Sequence, residues 1–150
     1  MTLLEGCRSW KQSKRLAAVA AYEDTLTDAR VAEFCRCLSR QMGHGCEVVK
    51  QMWLVNELRV PQLRSIAAGE AATSDLVIVS VHHAQSLPVE MSQWIEQWLA
   101  HKHRRPTVLL ALFDPVYQGD SGSMQTYLAQ VAKKAQMQFL VHSEELPEEI

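Results

Sequence analysis

Asp75-Leu-Val-Ile-Val-Ser-Val-His-His83 is the stretch whose reading decides the fold. Leu76 to Val81 is apolar except for Ser80 and rich in β-branched residues, the composition of a strand covered on both faces in the middle of a parallel sheet. Two histidines end it. Ligands of open α/β sheets collect at the carboxyl ends of the strands, so a site is expected around His82 and His83.

Working upstream, Pro61 opens a helix that runs to about Ala72, because proline is favoured at the first helical position and disfavours helix in the residue before it. Leu63, Ile66 and Ala67 are its expected buried face. Cys46 to Leu54 alternates well enough to read as a strand with one face less buried, hence an edge strand. Thr25-Leu-Thr-Asp28 has the form of a helix start, and Val31, Phe34, Cys35, Leu38 and Met42 follow at helical spacing until Gly43 stops the run. Leu16 to Tyr22 is a small-residue apolar run consistent with a first buried strand. Residues 1–14, with Trp10 as their one strong apolar anchor, are expected to be loosely held.

Downstream, Ser86-Leu-Pro88 gives another helix start, and Met91, Trp94, Ile95, Trp98 and Leu99 form a continuous apolar stripe. His101-Lys-His-Arg-Arg105 places positive charge at its carboxyl end, where the helix dipole favours it. Thr107 to Phe113 is a second internal strand closed by Asp114-Pro115. A loop over residues 118–123, a helix marked by Tyr127, Leu128, Val131 and Ala135, and an edge-like strand from Met137 to Val141 complete the series before the acidic tail at 144–150. Strand and helix alternate through five strands, which predicts a parallel sheet with right-handed crossovers and helices on both faces. With the first, third and fourth strands central, the expected architecture is a three-layer, doubly wound α/β domain over residues 15–150, strand order 2-1-3-4-5.

Composition bounds the function. A chain of 150 residues, 47% hydrophobic, makes one domain with a single large core. A formal charge of -2 and a pI near 6.3 supply no basic field for nucleic acid, so none is expected as a partner. The longest apolar runs are far shorter than the roughly 20 residues of a membrane span. Glu5 falls where a signal peptide needs an apolar core, so a cytoplasmic protein without a membrane partner is expected. Cys7, Cys35, Cys37 and Cys46 lack the spacing of a zinc or redox site and read as ordinary thiols.

The strand ends of a parallel sheet share one rim, which collects Glu23, Asp24, His82, His83, Asp114 and His142. Acids and imidazoles there are the raw material of a metal or proton-transfer site, and equally of ordinary helix caps. Ser121-Gly-Ser123 is a loop that could meet an anion or simply start a helix. No glycine-rich nucleotide loop or nucleophile elbow is present.

Two families share these features. The acidic pair Glu23-Asp24 after the first strand, Asp75-Leu-Val-Ile-Val in the third, and Phe139-Leu-Val-His-Ser with Pro147-Glu-Glu at the close resemble a response-regulator receiver. Under that resemblance the phosphoacceptor position falls on Ser80 rather than Asp, the switch hydroxyl on Ala111 and the lysine on His142. It therefore implies a receiver-like domain that is not phosphorylated in the usual way. The chain is also similar in outline to a flavodoxin, whose hydroxyl-rich turn after the first strand grips the phosphate of FMN. That resemblance implies Thr25 and Thr27 as phosphate contacts and Tyr117, with Gly119-Asp120, as part of the fourth-strand loop. The turn has no glycine, and Asp24 and Asp28 flank it with negative charge.

Two functions stay open on the sequence. The leading expectation is a non-enzymatic binding module working through protein contacts, a homodimer or another protein, with no cofactor and no metal. Met91, Trp94, Ile95 and Trp98 are its candidate interface, since an indole left at the surface is a common binding hot spot. The alternative is a small-molecule or FMN site at the rim, in an oxidoreductase or a hydrolase, built from Glu23, Asp24, Thr25, Thr27, His82, His83, Asp114 and Tyr117.

Overall fold

Strand β3, Leu76–Ser80, is buried at each of its five positions, and the remaining strands assemble about it. The computed structural model describes residues 14–43, 46–82, 87–101, 108–114 and 122–142. Flanking β3 are β1 (Arg15–Tyr22) and β4 (Val108–Leu112), with β2 (Glu47–Leu54) and β5 (Gln138–His142) at the two edges. The order is 2-1-3-4-5 and every pairing is parallel. Asp75 sets the entry to β3: its carboxylate accepts from the Ala17 N–H at 2.9 Å while its own N–H donates to the Ala17 carbonyl at 2.8 Å.

Side chains alternate across the sheet, so successive β3 residues enter different cores. Leu76 and Ile78 meet Val31, Cys35 and Leu38 of helix α1 (Thr25–Met42). Val77 and Val79 join the larger core under α2 (Pro61–Ala72), α3 (Val89–His101) and α4 (Gly122–Ala135). Helix α1 stops at Gly43, whose φ of 88° suits glycine and whose N–H returns to Ser39 and Arg40 carbonyls.

Two expectations about burial need correction. Ile66 is 53% exposed and Leu63 half-buried, while Ala67 is buried as expected and is joined by Ala68, Ala71 and Ala72. Small side chains bring this helix close to the sheet, which leaves the long side of Ile66 outward. More consequentially, the interface proposed on α3 does not exist as a surface: Met91, Trp94, Ile95 and Trp98 are each 0% exposed. The reason lies in the neighbours. Helix α3 is flanked by both α2 and α4, so the sheet and two helices cover an apolar arc wider than a helix with fewer neighbours would bury. The two indoles meet edge to face, centroids 6.2 Å apart at 71°, a favourable aromatic geometry. Among the described residues neither indole N–H has a hydrogen-bond partner.

β2 is half-exposed along its length, as an edge strand should be. It is followed by a short 3-10 turn, Glu57–Arg59, which buries Leu58. Cys35 and Cys37 are buried and Cys46 is half-buried, and the Cys37 thiol lies 3.7 Å from Glu33 Oε2. Burial pushes the Cys35 thiol up to about 11, which keeps it protonated and unreactive. Among the described residues no helix is long and apolar enough to cross a membrane. The expected loosely held segment 1–14 lies outside the described residues except for Lys14, and so do Cys7, Trp10 and the acidic tail.

Candidate functional site

The pairing register alone brings a cluster together. Tyr22, Ser80 and Leu112 are paired partners across β1, β3 and β4. Two residues further along each chain stand Asp24, His82 and Asp114. Three titratable side chains therefore come level at the carboxyl rim, next to the crossover between β1 and β3 where a doubly wound sheet reverses its winding.

Only Glu23 and Asp24 separate β1 from α1. Asp24 is extended, at φ -163° and ψ -170°, and caps the helix: its Oδ1 accepts from the Thr27 N–H at 3.1 Å. The Thr27 hydroxyl replies as acceptor for the backbone N–H groups of Glu23 and Asp24, both at 2.9 Å. This is a capping box with threonine in the usual place of glutamate. Thr27 is 0% exposed, and its carbonyl accepts from the Ser80 hydroxyl at 2.9 Å. The first turn of α1 is thereby fastened to the end of β3.

His82 occupies the centre. Its Nε2 lies 2.6 Å from Asp24 Oδ2 and its Nδ1 2.9 Å from Asp114 Oδ1. The backbone is held as well: the His82 N–H donates to Glu23 Oε1 at 2.8 Å, and its carbonyl accepts from the Asp114 N–H at 3.2 Å. Arg30, from the second turn of α1, brings Nη1 to 2.6 Å from Asp114 Oδ1, a close ion contact whose alignment falls short of a hydrogen bond. The His82 and Asp114 side chains are about one-fifth exposed, at 24% and 20%, whereas Asp24 is 51% exposed.

Ionisation follows from these contacts. The hydrogen bonds to Asp24 and then to Asp114 hold the His82 pKa above its ordinary value, outweighing partial burial. Asp24 is held below the usual carboxylate value, first by the Thr27 N–H and then by His82. For Asp114 partial burial pushes upward, but His82 and the Arg30 guanidinium together more than reverse it. The result is a row of alternating acids and bases, Asp24, His82, Asp114 and Arg30, in which the two carboxylates favour the protonated imidazole between them. Replacing Asp24 with alanine removes the cap and one end of this row. A loss of about 1 kcal/mol, up to about 2, is expected from urea unfolding, together with a lower His82 pKa in an NMR titration.

Of the residues expected at the site, Glu23, Asp24, Thr27, His82 and Asp114 converge. Thr25 is exposed on the first turn of α1, outside this bonding. His83, Tyr117, the 119–120 pair and Ser121 lie outside the described residues, as does the side chain of His142, whereas Gly122 and Ser123, expected in the loop, are the first residues of α4. Arg30 and Ser80 were not anticipated as parts of the cluster. Arg30 stands one helical turn beyond the buried Thr27, the one sequence signal that could have placed it on the same side. No group of three or more His, Cys, Asp or Glu side chains among the described residues is arranged to hold a metal ion.

No protein-family model matches the chain. No curated protein matches it either. Among solved structures, a flavodoxin from Streptococcus pneumonia TIGR4 aligns with a TM-score of 0.55 at 18% identity, covering 89% of this chain and 88% of that one. The fold is flavodoxin-like. At that identity the likeness is one of architecture. Within this flavodoxin-like frame, the turn from β1 into α1 is two residues long and closed by its own side chains.

Proposed function

We propose that this flavodoxin-like domain is a binding module that works through protein contacts, with no flavin phosphate held at the head of α1. The supporting observation is the position of Asp24. A helix N-terminus attracts anions through its free N–H groups and its dipole, but here the chain's own carboxylate has taken the place, on the Thr27 N–H. The Thr27 hydroxyl is engaged by two backbone N–H groups and is fully buried.

Charge points the same way. Glu23, Asp24, Asp28 and Asp114 surround this corner, and its two basic side chains, His82 and Arg30, are already engaged by Asp24 and Asp114. An incoming phosphate would meet unbalanced carboxylates, each repelling it by about 1 kcal/mol at 4 Å in water and about 4 kcal/mol at the effective dielectric near a protein surface. Acid-base catalysis by His82 at neutral pH is also disfavoured. A general base needs a free lone pair, and both ring nitrogens face carboxylates.

FMN binding is the second reading, favoured by the name of the structural neighbour as a flavodoxin. Native mass spectrometry of protein purified from its own host, with an absorbance scan of the same sample, separates the two. A dimer or a stoichiometric complex with another protein, free of flavin absorbance, is the expected result. One retained flavin per chain would reverse the assignment, and an apo monomer with no protein partner would count against the contact module.

A further inference from the structure

We infer that the Asp24–His82–Asp114 bridge is a proton-operated latch that closes the β1–α1 corner onto the ends of β3 and β4. The inference goes beyond the proposed function and holds whatever the domain binds. It begins with donor and acceptor counting. Ionised carboxylates only accept hydrogen bonds, whereas a neutral imidazole carries one N–H and one lone pair. With Nε2 2.6 Å from Asp24 and Nδ1 2.9 Å from Asp114, both contacts are attractive only when the ring holds two protons. Removing one proton turns a lone pair toward a carboxylate oxygen, and one of the two bonds must open.

Both carboxylates have somewhere to go. Asp114 keeps the Arg30 guanidinium at 2.6 Å, while the half-exposed Asp24, whose place on Nε2 water can take, loses its anchor on His82 and is left capping Thr27 through the 3.1 Å contact alone, a cap that opens more readily. Opening therefore needs no unfolding of the core. The charged groups in contact with the ring are the carboxylates of Asp24 from the corner and Asp114 from the end of β4; Glu23 bonds the His82 backbone N–H, Arg30 from α1 reaches the far side of Asp114, and Asp28 lies in the first turn of α1. The neighbour on its own strand, Ser80, is neutral and engaged with the Thr27 carbonyl. Acids outnumber bases around the ring, which is the arrangement that retains the second proton.

The direction follows from the shifts. The folded-state pKa of His82 is raised from 6.5, so the latch is fully closed below that value and is lost as pH rises through the raised folded pKa. Asp24 and Asp114 are lowered from 3.8. Their contribution is present above that value and disappears only as pH falls through the lowered pKa values. The latch is therefore closed between the lowered carboxylate values and 6.5, and a rise in pH through the raised His82 value is the opening signal.

The test is a pH titration of the wild-type chain by nitrogen-15 NMR of the His82 ring, with amide exchange of Thr27 followed in the same samples. Both ring nitrogens are expected to be protonated below pH 6.5. The midpoint should lie above 6.5 and should fall in Asp24→Asn. The Thr27 protection factor should drop about fivefold or more through the same midpoint, the scale of one lost interaction of about 1 kcal/mol. A ring carrying a single proton below pH 6.5, or Thr27 protection that is flat through the His82 titration, overturns the latch. So does an Asp24→Asn midpoint equal to that of the wild type. The wild-type titration decides the matter even if the variant fails to fold.

Discussion

Trp98→Ala is expected to lower the free energy of unfolding by about 3–5 kcal/mol, the usual result of emptying a buried aromatic site, while leaving the oligomeric state of the folded protein unchanged. The side chain is 0% exposed and packs edge to face on Trp94, beneath α2 and α4 and against the sheet. Domains of this kind are stable by about 5–15 kcal/mol, so a single truncation removes a large share. Trp94→Ala should behave alike. The double variant should lose less than the sum, because the rings are each other's neighbours and the second truncation enlarges an existing cavity. Phenylalanine at either position should be better tolerated than alanine, since it keeps most of the volume and removes an indole N–H that has no partner among the described residues. Urea unfolding with analytical ultracentrifugation of each variant is the check. A large change in association with little change in stability would mean that the α3 stripe faces a partner after all.

Ser80→Asp is the second large effect, and it bears on the receiver resemblance. An acceptor aspartate in that family has to reach the rim. Ser80 does not: it is 0% exposed and its hydroxyl donates to the Thr27 carbonyl at 2.9 Å. A carboxylate in its place would be buried against a backbone oxygen with no counter-charge, for which a loss of about 3–5 kcal/mol is expected. Part of that is relieved if the new acid stays protonated. Its folded-state pKa is then raised, so the deficit should be smaller near pH 4 than near pH 8. Ser80→Ala, which removes one hydrogen bond but buries no charge, should lose only about 1 kcal/mol. Equal stability of Ser80→Asp and Ser80→Ala at pH 8 would show that the position opens to the rim.

The acidic pair fits the same picture. Glu23 bonds to the His82 N–H and Asp24 caps α1, so both carboxylates serve the chain's own backbone. Similar chemistry at the same corner thus has a structural use in this protein.

The fold was legible in the sequence wherever local chemistry is decisive. Pro61 opens α2, Gly43 ends α1, and the unbroken apolar runs of β3 and β4 mark the centre of the sheet. Burial was less legible where it depends on what lies across from a residue. The α3 stripe reads as too wide for one helix only if its flanking helices are ignored, and Ile66 reads as core only if α2 is taken to pack on its larger side chains. At the rim, Glu23, Asp24, His82 and Asp114 could be named because strand ends of a parallel sheet must meet. That Asp24, His82 and Asp114 stand level needed the register, which pairs Tyr22, Ser80 and Leu112. Arg30 and Ser80 entered only with the rotation of α1 about its axis, which no local pattern specifies. Thr27 sits where a phosphate contact was expected, yet faces inward because its hydroxyl satisfies the two N–H groups at the head of the helix.

The central claim is that the head of α1 is filled by the protein's own charges, and a fluorescence titration of FMN into the wild-type protein at neutral pH tests it most directly. The expected result is no saturable change in flavin fluorescence. Saturable one-to-one binding that inorganic phosphate competes away would contradict the claim, because it would require Asp24 to leave the Thr27 N–H and surrender its place to the ligand.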